Sequence, residues 1–114
     1  KPHEIFVADD AFTDGSQDLI HVYELGYPAL VKGVLQSVNV GIPRNRNAAL
    51  RSVKGNYVGI LDGDDRFRAN KLELQYNKLC QRPNCQGVFG NFELFDENIE
   101  TFTRFKWEGP QPEG

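Results

Sequence analysis

The chain has no methionine, one tryptophan and only two cysteines in 114 residues. Cys80 and Cys85, set around Pro83-Asn84, are too few for a disulfide framework. With only two histidines elsewhere they also make a poor zinc ligand set, and they read as ordinary thiols. No apolar run approaches the ~20 residues of a membrane-spanning helix, and the N-terminus lacks a signal-peptide pattern. A basic field is missing too: Lys+Arg 13 against Asp+Glu 16 gives a net charge of −3, which excludes the electrostatic footprint of a nucleic-acid binder. What remains, with 39% hydrophobic residues, fits one compact domain with a modest core, soluble or peripheral to a membrane. Lacking methionine at position 1 and opening almost directly on Ile5-Phe6-Val7-Ala8, the sequence reads as an internal piece.

Its most pointed feature is Tyr57-Val58-Gly59-Ile60-Leu61 running into Asp62-Gly63-Asp64-Asp65. A continuous apolar run bounded by polar residues predicts a strand buried on both faces, and open α/β sheets bind ligands beyond the carboxyl ends of such strands. Two carboxylates roughly 5 Å apart repel by about 3 kcal/mol at an effective dielectric near 20. Three at a partly desolvated strand end therefore call for a compensating charge, and a hard divalent cation suits carboxylate oxygens. Three solvated side chains on an acidic turn are the alternative.

Elsewhere strands and helices alternate. Glu4 to Ala8 predicts a strand that breaks into Asp9-Asp10 and a turn-rich loop. Ser16 is placed to cap a helix running to about Leu25, with Gly26 and Pro28 ending it. For Asp9 the spacing suggests a turn or capping role, for Asp10 a ligand contact at a strand end. A strand is expected near Val34 to Val38, then a loop into a helix that starts at Pro43 and stops at Gly55. Arg44 and Arg46 lie in its N-terminal turn, where backbone donors and the helix dipole favour an anion, so an arginine there can help hold a phosphate or a carboxylate of the acidic cluster. Asn70 and Glu73 have capping-box spacing ahead of a helix carrying Leu72, Tyr76 and Leu79, with Tyr76 read as core and Pro83 as terminator. Gly87 to Phe89 and Asn91 to Phe95 read as strand, Asp96-Glu97-Asn98 as a turn and Thr101 to Phe105 as the partner. Trp107 and Glu108 to Gly114 lack periodicity. The alternation implies an α/β fold: three layers, α/β/α, about a mainly parallel Rossmann-like sheet, incomplete, whose carboxyl edge collects Asp9, Asp10, Asp62, Asp64 and Asp65.

Three blocks in this order resemble the inverting family 2 glycosyltransferases of the GT-A fold. Ile5 to Asp14 is similar to that family's strand ending in Val-Asp-Asp-Gly-Ser-Thr-Asp. Asn39-Val40-Gly41, Arg46-Asn47 and Gly55-Asn56-Tyr57-Val58 resemble its Asn-x-Gly, Ala-Arg-Asn and Gly-Glu-Tyr-Ile spacing. Asp62-Gly63-Asp64-Asp65 with Asn70-Lys71-Leu72-Glu73 looks like its Asp-x-Asp-Asp and Pro-x-Lys-Leu-Glu block. The resemblance implies a partial nucleotide-sugar-binding domain over residues 1–107, with a loose tail at 108–114. It implies that Asp10 hydrogen-bonds the nucleotide base, usually uracil, and that Asp62 faces the ribose. Asp64 would coordinate a divalent metal, Mn2+ or Mg2+, with Asp65 supporting the cluster and Arg46 assisting the base or phosphate side.

The implied donor is a nucleotide-diphosphate sugar, most often a UDP-sugar, and the acceptor an unspecified saccharide or lipid-linked group. The expected location is cytoplasmic, free or peripheral at the inner face of a membrane. Ala11 and Phe12 replace the family's Gly-Ser, Asn45 its alanine, Ala49 its glycine and Ala69 its proline. The family also has an earlier strand and helix and a later acceptor-side base that find no matching block here. An exposed sheet edge open to homo-oligomer formation is therefore expected. Two other readings stand beside this one: a non-catalytic nucleotide-sugar-binding module, and a magnesium-dependent phosphohydrolase with Asp62 as nucleophile. Because an inverting displacement needs a base to deprotonate the acceptor hydroxyl, purified residues 1–114 are expected to show little or no metal-dependent sugar transfer. Robust turnover in a radiolabelled-donor assay contradicts that.

Overall fold

Ile5–Asp9 forms β1, and Val31–Leu35 forms β2 beside it in a parallel pair, with Ile5 opposite Val31 and Asp9 opposite Leu35. Parallel strands need a crossover, and Ser16–Gly26, helix α1, supplies it. The computed structural model describes residues 1–90, 92–96 and 99–105, which fall into two units, Lys1–Ile60 and Leu61–Gly114. Within the first unit α1 packs on both strands, and a second helix, α2 (Ile42–Leu50), packs on β1. Among the described residues the buried apolar side chains are Ile20 of α1 and Val31 of β2, and the buried charged ones are Asp9 and Asp10.

Close approach of α1 to β2 depends on Gly33. A Cβ there would stand 2.9 Å from Cγ2 of Ile20, a contact that forces something to shift. The freed space also admits Glu24, whose Oε1 accepts the Gly33 N–H at 2.6 Å. The Gly33 amide and the His21 ring together hold the Glu24 carboxyl below the usual range. The Val31 N–H donates to the Tyr27 carbonyl at 2.9 Å. Ile5 donates to the Leu30 carbonyl and Gln36 to that of Asp9. That phase turns Gly33 and Val31 toward the outer edge of β2, so Glu24 and Tyr27 cover donors that would otherwise invite another strand.

Several element boundaries differ from those expected of the sequence. Strand β2 lies three residues earlier than Val34 to Val38, because the Tyr27 turn binds Val31 directly. Ser16 does not cap α1. Gly15, at φ 89°, is the N-cap residue, and Asp14 Oδ1 takes the Ser16 N–H at 3.0 Å. Helix α2 ends at Leu50, not at Gly55: Ser52 and Val53 donate to carbonyls three residues back. Lys54 and Gly55 instead give their N–H groups to Glu4 Oε1 at 2.6 and 3.0 Å, which pins the start of β1 to the chain after α2.

The apolar run 57–61 is not a strand. Tyr57, Val58, Ile60 and Leu61 are 54%, 51%, 52% and 47% exposed, and no described strand pairs with the run. Composition gives it the appearance of a buried strand, but burial on two faces needs a strand on each side, and none of the described strands pairs with it. In the second unit α3 spans Lys71–Gln81 with Asn70 as N-cap. The expected capping box does not form, since no side-chain cap hydrogen bond is made, and Leu72 and Tyr76 stand exposed rather than in a core. Cys80 and Cys85 are free thiols. Gly87 to Phe89 is not strand, whereas β3 (Phe92–Asp96) and β4 (Ile99–Phe105) pair antiparallel as expected, Phe92 opposite Phe105. Glu97 and Asn98 of the expected turn, and Trp107 with the tail, lie outside the described residues.

Two stability predictions follow from the first unit. Ala11 holds φ 63°, a left-handed conformation costing roughly 1–2 kcal/mol for a residue with a Cβ. Ala11→Gly removes that strain and gives back about 0.4–1 kcal/mol to unfolded-chain freedom, so the urea midpoint should rise; a fall contradicts the left-handed assignment. The Lys54 amide, chief among its neighbours, lowers the Glu4 pKa. Its contribution is therefore complete above the ordinary glutamate pKa and is lost as pH falls through the lowered native value. Glu4→Gln should lower the urea midpoint at neutral pH and match wild type in acid; a gap that persists unchanged in acid refutes the linkage.

Candidate functional site

The carboxyl end of β1 is a corner built on two buried aspartates. Asp9 is 4% exposed and Asp10 6%, and a carboxylate removed from water needs hydrogen-bond donors. Asp9 Oδ1 accepts the Phe12 N–H at 3.2 Å and Nε2 of Gln17 at 2.7 Å. This confirms a turn role for Asp9 and closes the loop that carries left-handed Ala11. Gln17, on the first turn of α1, also donates to the Gln36 carbonyl at 3.4 Å, while Nε2 of Gln36 reaches Asn45 Oδ1 of α2 at 3.4 Å. One hydrogen-bonded chain thus runs from α1 across both strand ends to α2.

Asp10 faces the mouth of α2. Its Oδ1 accepts the Val40 N–H at 2.7 Å and its Oδ2 the Gly41 N–H at 2.8 Å; Asn39 Oδ1 accepts from Gly41 as well, at 3.2 Å. Gly41 sits at φ 84°, a conformation only glycine adopts without strain, and this turns its amide toward β1. Hydrogen bonds to a charged group contribute about 1.5–3 kcal/mol each, so the pair fastens the 39–41 loop to the sheet. The two amides just ahead of α2, those of Val40 and Gly41, are therefore taken by the Asp10 carboxylate, a partner that the sequence reading of that helix did not name. Arg44 and Arg46 are exposed on α2.

Asp62, Asp64 and Asp65 belong to the second unit and are exposed, on a turn closed by the Asp65 N–H on the Asp62 carbonyl at 3.1 Å. In water their mutual repulsion at roughly 5 Å falls below about 1 kcal/mol. The electrostatic demand for a cation that a desolvated strand end would create is therefore weak. Among the described residues no three of His, Cys, Asp and Glu are gathered to hold a metal. The donor chemistry still suits a hard cation, since three carboxylates lie on one short turn.

Sequence reasoning missed the roles of Gln17 and Gln36, which lie in no motif, and of Asn45, seen only as a departure from the family's alanine; their side chains meet only once the strands are paired. It also missed Glu4, since an acid at a strand start gives no sign of its distant amide partners.

The chain matches the profile of Glycosyl transferase family 2 over residues 1–113. It is 32% identical over 105 residues to the putative teichuronic acid biosynthesis glycosyltransferase TuaG of Bacillus subtilis (strain 168), covering 91% of this chain and 41% of that protein. Over 95 residues it is 30% identical to the UDP-Glc:alpha-D-GlcNAc-diphosphoundecaprenol beta-1,3-glucosyltransferase WfgD of Escherichia coli, covering 83% of this chain and 36% of the other. The cholesterol galactosyltransferase of Borreliella burgdorferi is 33% identical over 95 residues, 83% of this chain and 26% of that one. The chain thus spans less than half the length of these relatives. No solved structure matches it. The α/β crossover, the three ordered sequence blocks and a profile match over nearly every residue agree, and the chain belongs to glycosyl transferase family 2.

Proposed function

We propose that this chain supplies the donor-nucleotide half of an enzyme that transfers a sugar, with inversion, from a nucleotide-diphosphate sugar to a saccharide or lipid-linked acceptor. The observation that carries the reading is Asp10: a buried carboxylate at the carboxyl end of a parallel strand, fastened by Val40 and Gly41. Each carboxylate oxygen has two acceptor sites, so one N–H apiece leaves capacity for a further donor. The edge of uracil presents such a donor at N3, whereas cytosine presents an acceptor there. A UDP-sugar donor also accords with the name of the Escherichia coli relative, and a lipid-linked acceptor with the diphosphoundecaprenol and cholesterol in the relatives' names.

In this reading Asp62 faces the ribose, Arg46 assists the base or phosphate side and Asp65 supports the acidic turn. Asp64 holds Mn2+ or Mg2+. Such an ion often binds one or two carboxylates and completes its shell with phosphate oxygens and water, so an exposed aspartate without two gathered companions is a sufficient anchor. When bound, the ion offsets the charge of the departing diphosphate. No residue of this chain is assigned as the base. The phosphohydrolase reading gains nothing from Asp62, whose side chain is exposed rather than desolvated among the described residues. Strand pairing between copies, where it occurs, uses the outer edge of β1, because Glu24 and Tyr27 cover donors on that of β2.

Titration calorimetry with uridine diphosphate and manganese tests the assignment. Asp64→Ala should weaken binding at least about tenfold, a loss of about 1.4 kcal/mol, and should abolish the gain that manganese brings. Equal affinities for the two proteins remove Asp64 from the metal site.

A further inference from the structure

Gln17 belongs to none of the sequence blocks that identify the family, yet it makes the shorter of the two hydrogen bonds to Asp9 Oδ1. We propose that Gln17 is a positioning residue for the nucleotide base: its carboxamide fixes Asp9, and through Asp9 it sets where Asp10 presents its carboxylate. The proposal rests on the reading of Asp10 as the base contact.

Asp9 Oδ1 has two donors, Gln17 Nε2 at 2.7 Å and the Phe12 N–H at 3.2 Å. At 4% exposure Asp9 has little access to replacement water, so removing the Gln17 amide leaves a buried carboxylate on one long hydrogen bond. Asp9 leads directly into Asp10 and then into Ala11 at φ 63°, a conformation that persists only where its surroundings over-determine it. Those surroundings are the Asp9 contacts on one side and the Val40 and Gly41 amides on the other. Gln17 adds a second tie, to the Gln36 carbonyl, and Gln36 in turn donates its N–H to the Asp9 carbonyl at 3.0 Å. The carboxamide therefore stands where the ends of both strands and the first turn of α1 meet. Without its donor, Asp9 turns away, the Ala11 corner relaxes and the Asp10 carboxylate moves from the amides of Val40 and Gly41. Gln17 touches no nucleotide in this scheme and acts only through the two aspartates.

Gln17→Met keeps nearly the same volume and removes the donor; Gln17→Asn keeps the amide one methylene short and serves if the first variant does not fold. Hydrogen exchange on the ligand-free chain reads the Asp10 position. Exchange at Val40 and Gly41 should quicken at least about fivefold in either variant, while exchange at Val31 and Gly33, on the far side of β2, stays within about twofold of wild type. The ratio of affinities for uridine diphosphate over cytidine diphosphate should shrink at least about threefold. A variant that merely lowers the melting temperature, with exchange at Val40 and Gly41 and the nucleotide ratio both unchanged, overturns the proposal. If wild type does not prefer uridine diphosphate, the base assignment of Asp10 falls. Exchange at Val40 and Gly41 then decides alone whether Gln17 positions that carboxylate.

Discussion

The first unit depends on keeping two adjacent carboxylates out of water at the end of one short strand. Burying a charged group costs several kcal/mol unless donors replace its hydration. Asp9 and Asp10 recruit theirs from four places: the loop at Phe12, the α1 residue Gln17, and the Val40 and Gly41 amides before α2. Among the described residues only Ile20 and Val31 are buried apolar side chains, so apolar burial alone gives weak direction to the packing. The aspartates supply it, because each donor must be at one place for the carboxylate to be satisfied. This is also why a strained Ala11 is tolerated between them and α1.

On the proposed reading, a corner of this kind serves recognition better than it serves stability. Hydrophobic residues of similar volume would hold the strand end without desolvating charge. A carboxylate with half its acceptor sites filled by fixed backbone donors is a preorganised receptor for one more N–H, and preorganisation reduces what binding must spend on ordering. The acidic turn at 62–65 follows the opposite logic. Its side chains are exposed, which on the proposed reading suits an ion that arrives with phosphate oxygens rather than one held in a dry cage.

Much of this was legible in the sequence. The break from Ile5-Phe6-Val7-Ala8 into Asp9-Asp10 located the first strand and its carboxyl edge, Gly26 with Pro28 ended α1 on time, and the β3–β4 hairpin fell close to its expected place. Asp9 was read as a turn residue from its neighbours alone, and it is one. Misreadings share a cause: local composition was credited with what only distant partners decide. Tyr57 to Leu61 has the composition of a buried strand, but a strand is a relation between segments, and none of those described pairs with it. Ser16 and Asn70 are good capping residues, yet Gly15 precedes the first and no side-chain bond forms at the second. Gln17 and Glu4 were invisible because the atoms they satisfy lie on other elements, up to 51 residues away.

The most direct measurement is a uridine diphosphate titration of the wild-type chain followed by backbone amide chemical shifts. Binding at the aspartate corner predicts saturable shifts concentrated at Asp10, Ala11, Val40 and Gly41, where the carboxylate and its two donors meet. Shifts that saturate elsewhere while these four amides stay still, or an absence of saturable shifts, would contradict the assignment of this corner to the nucleotide base.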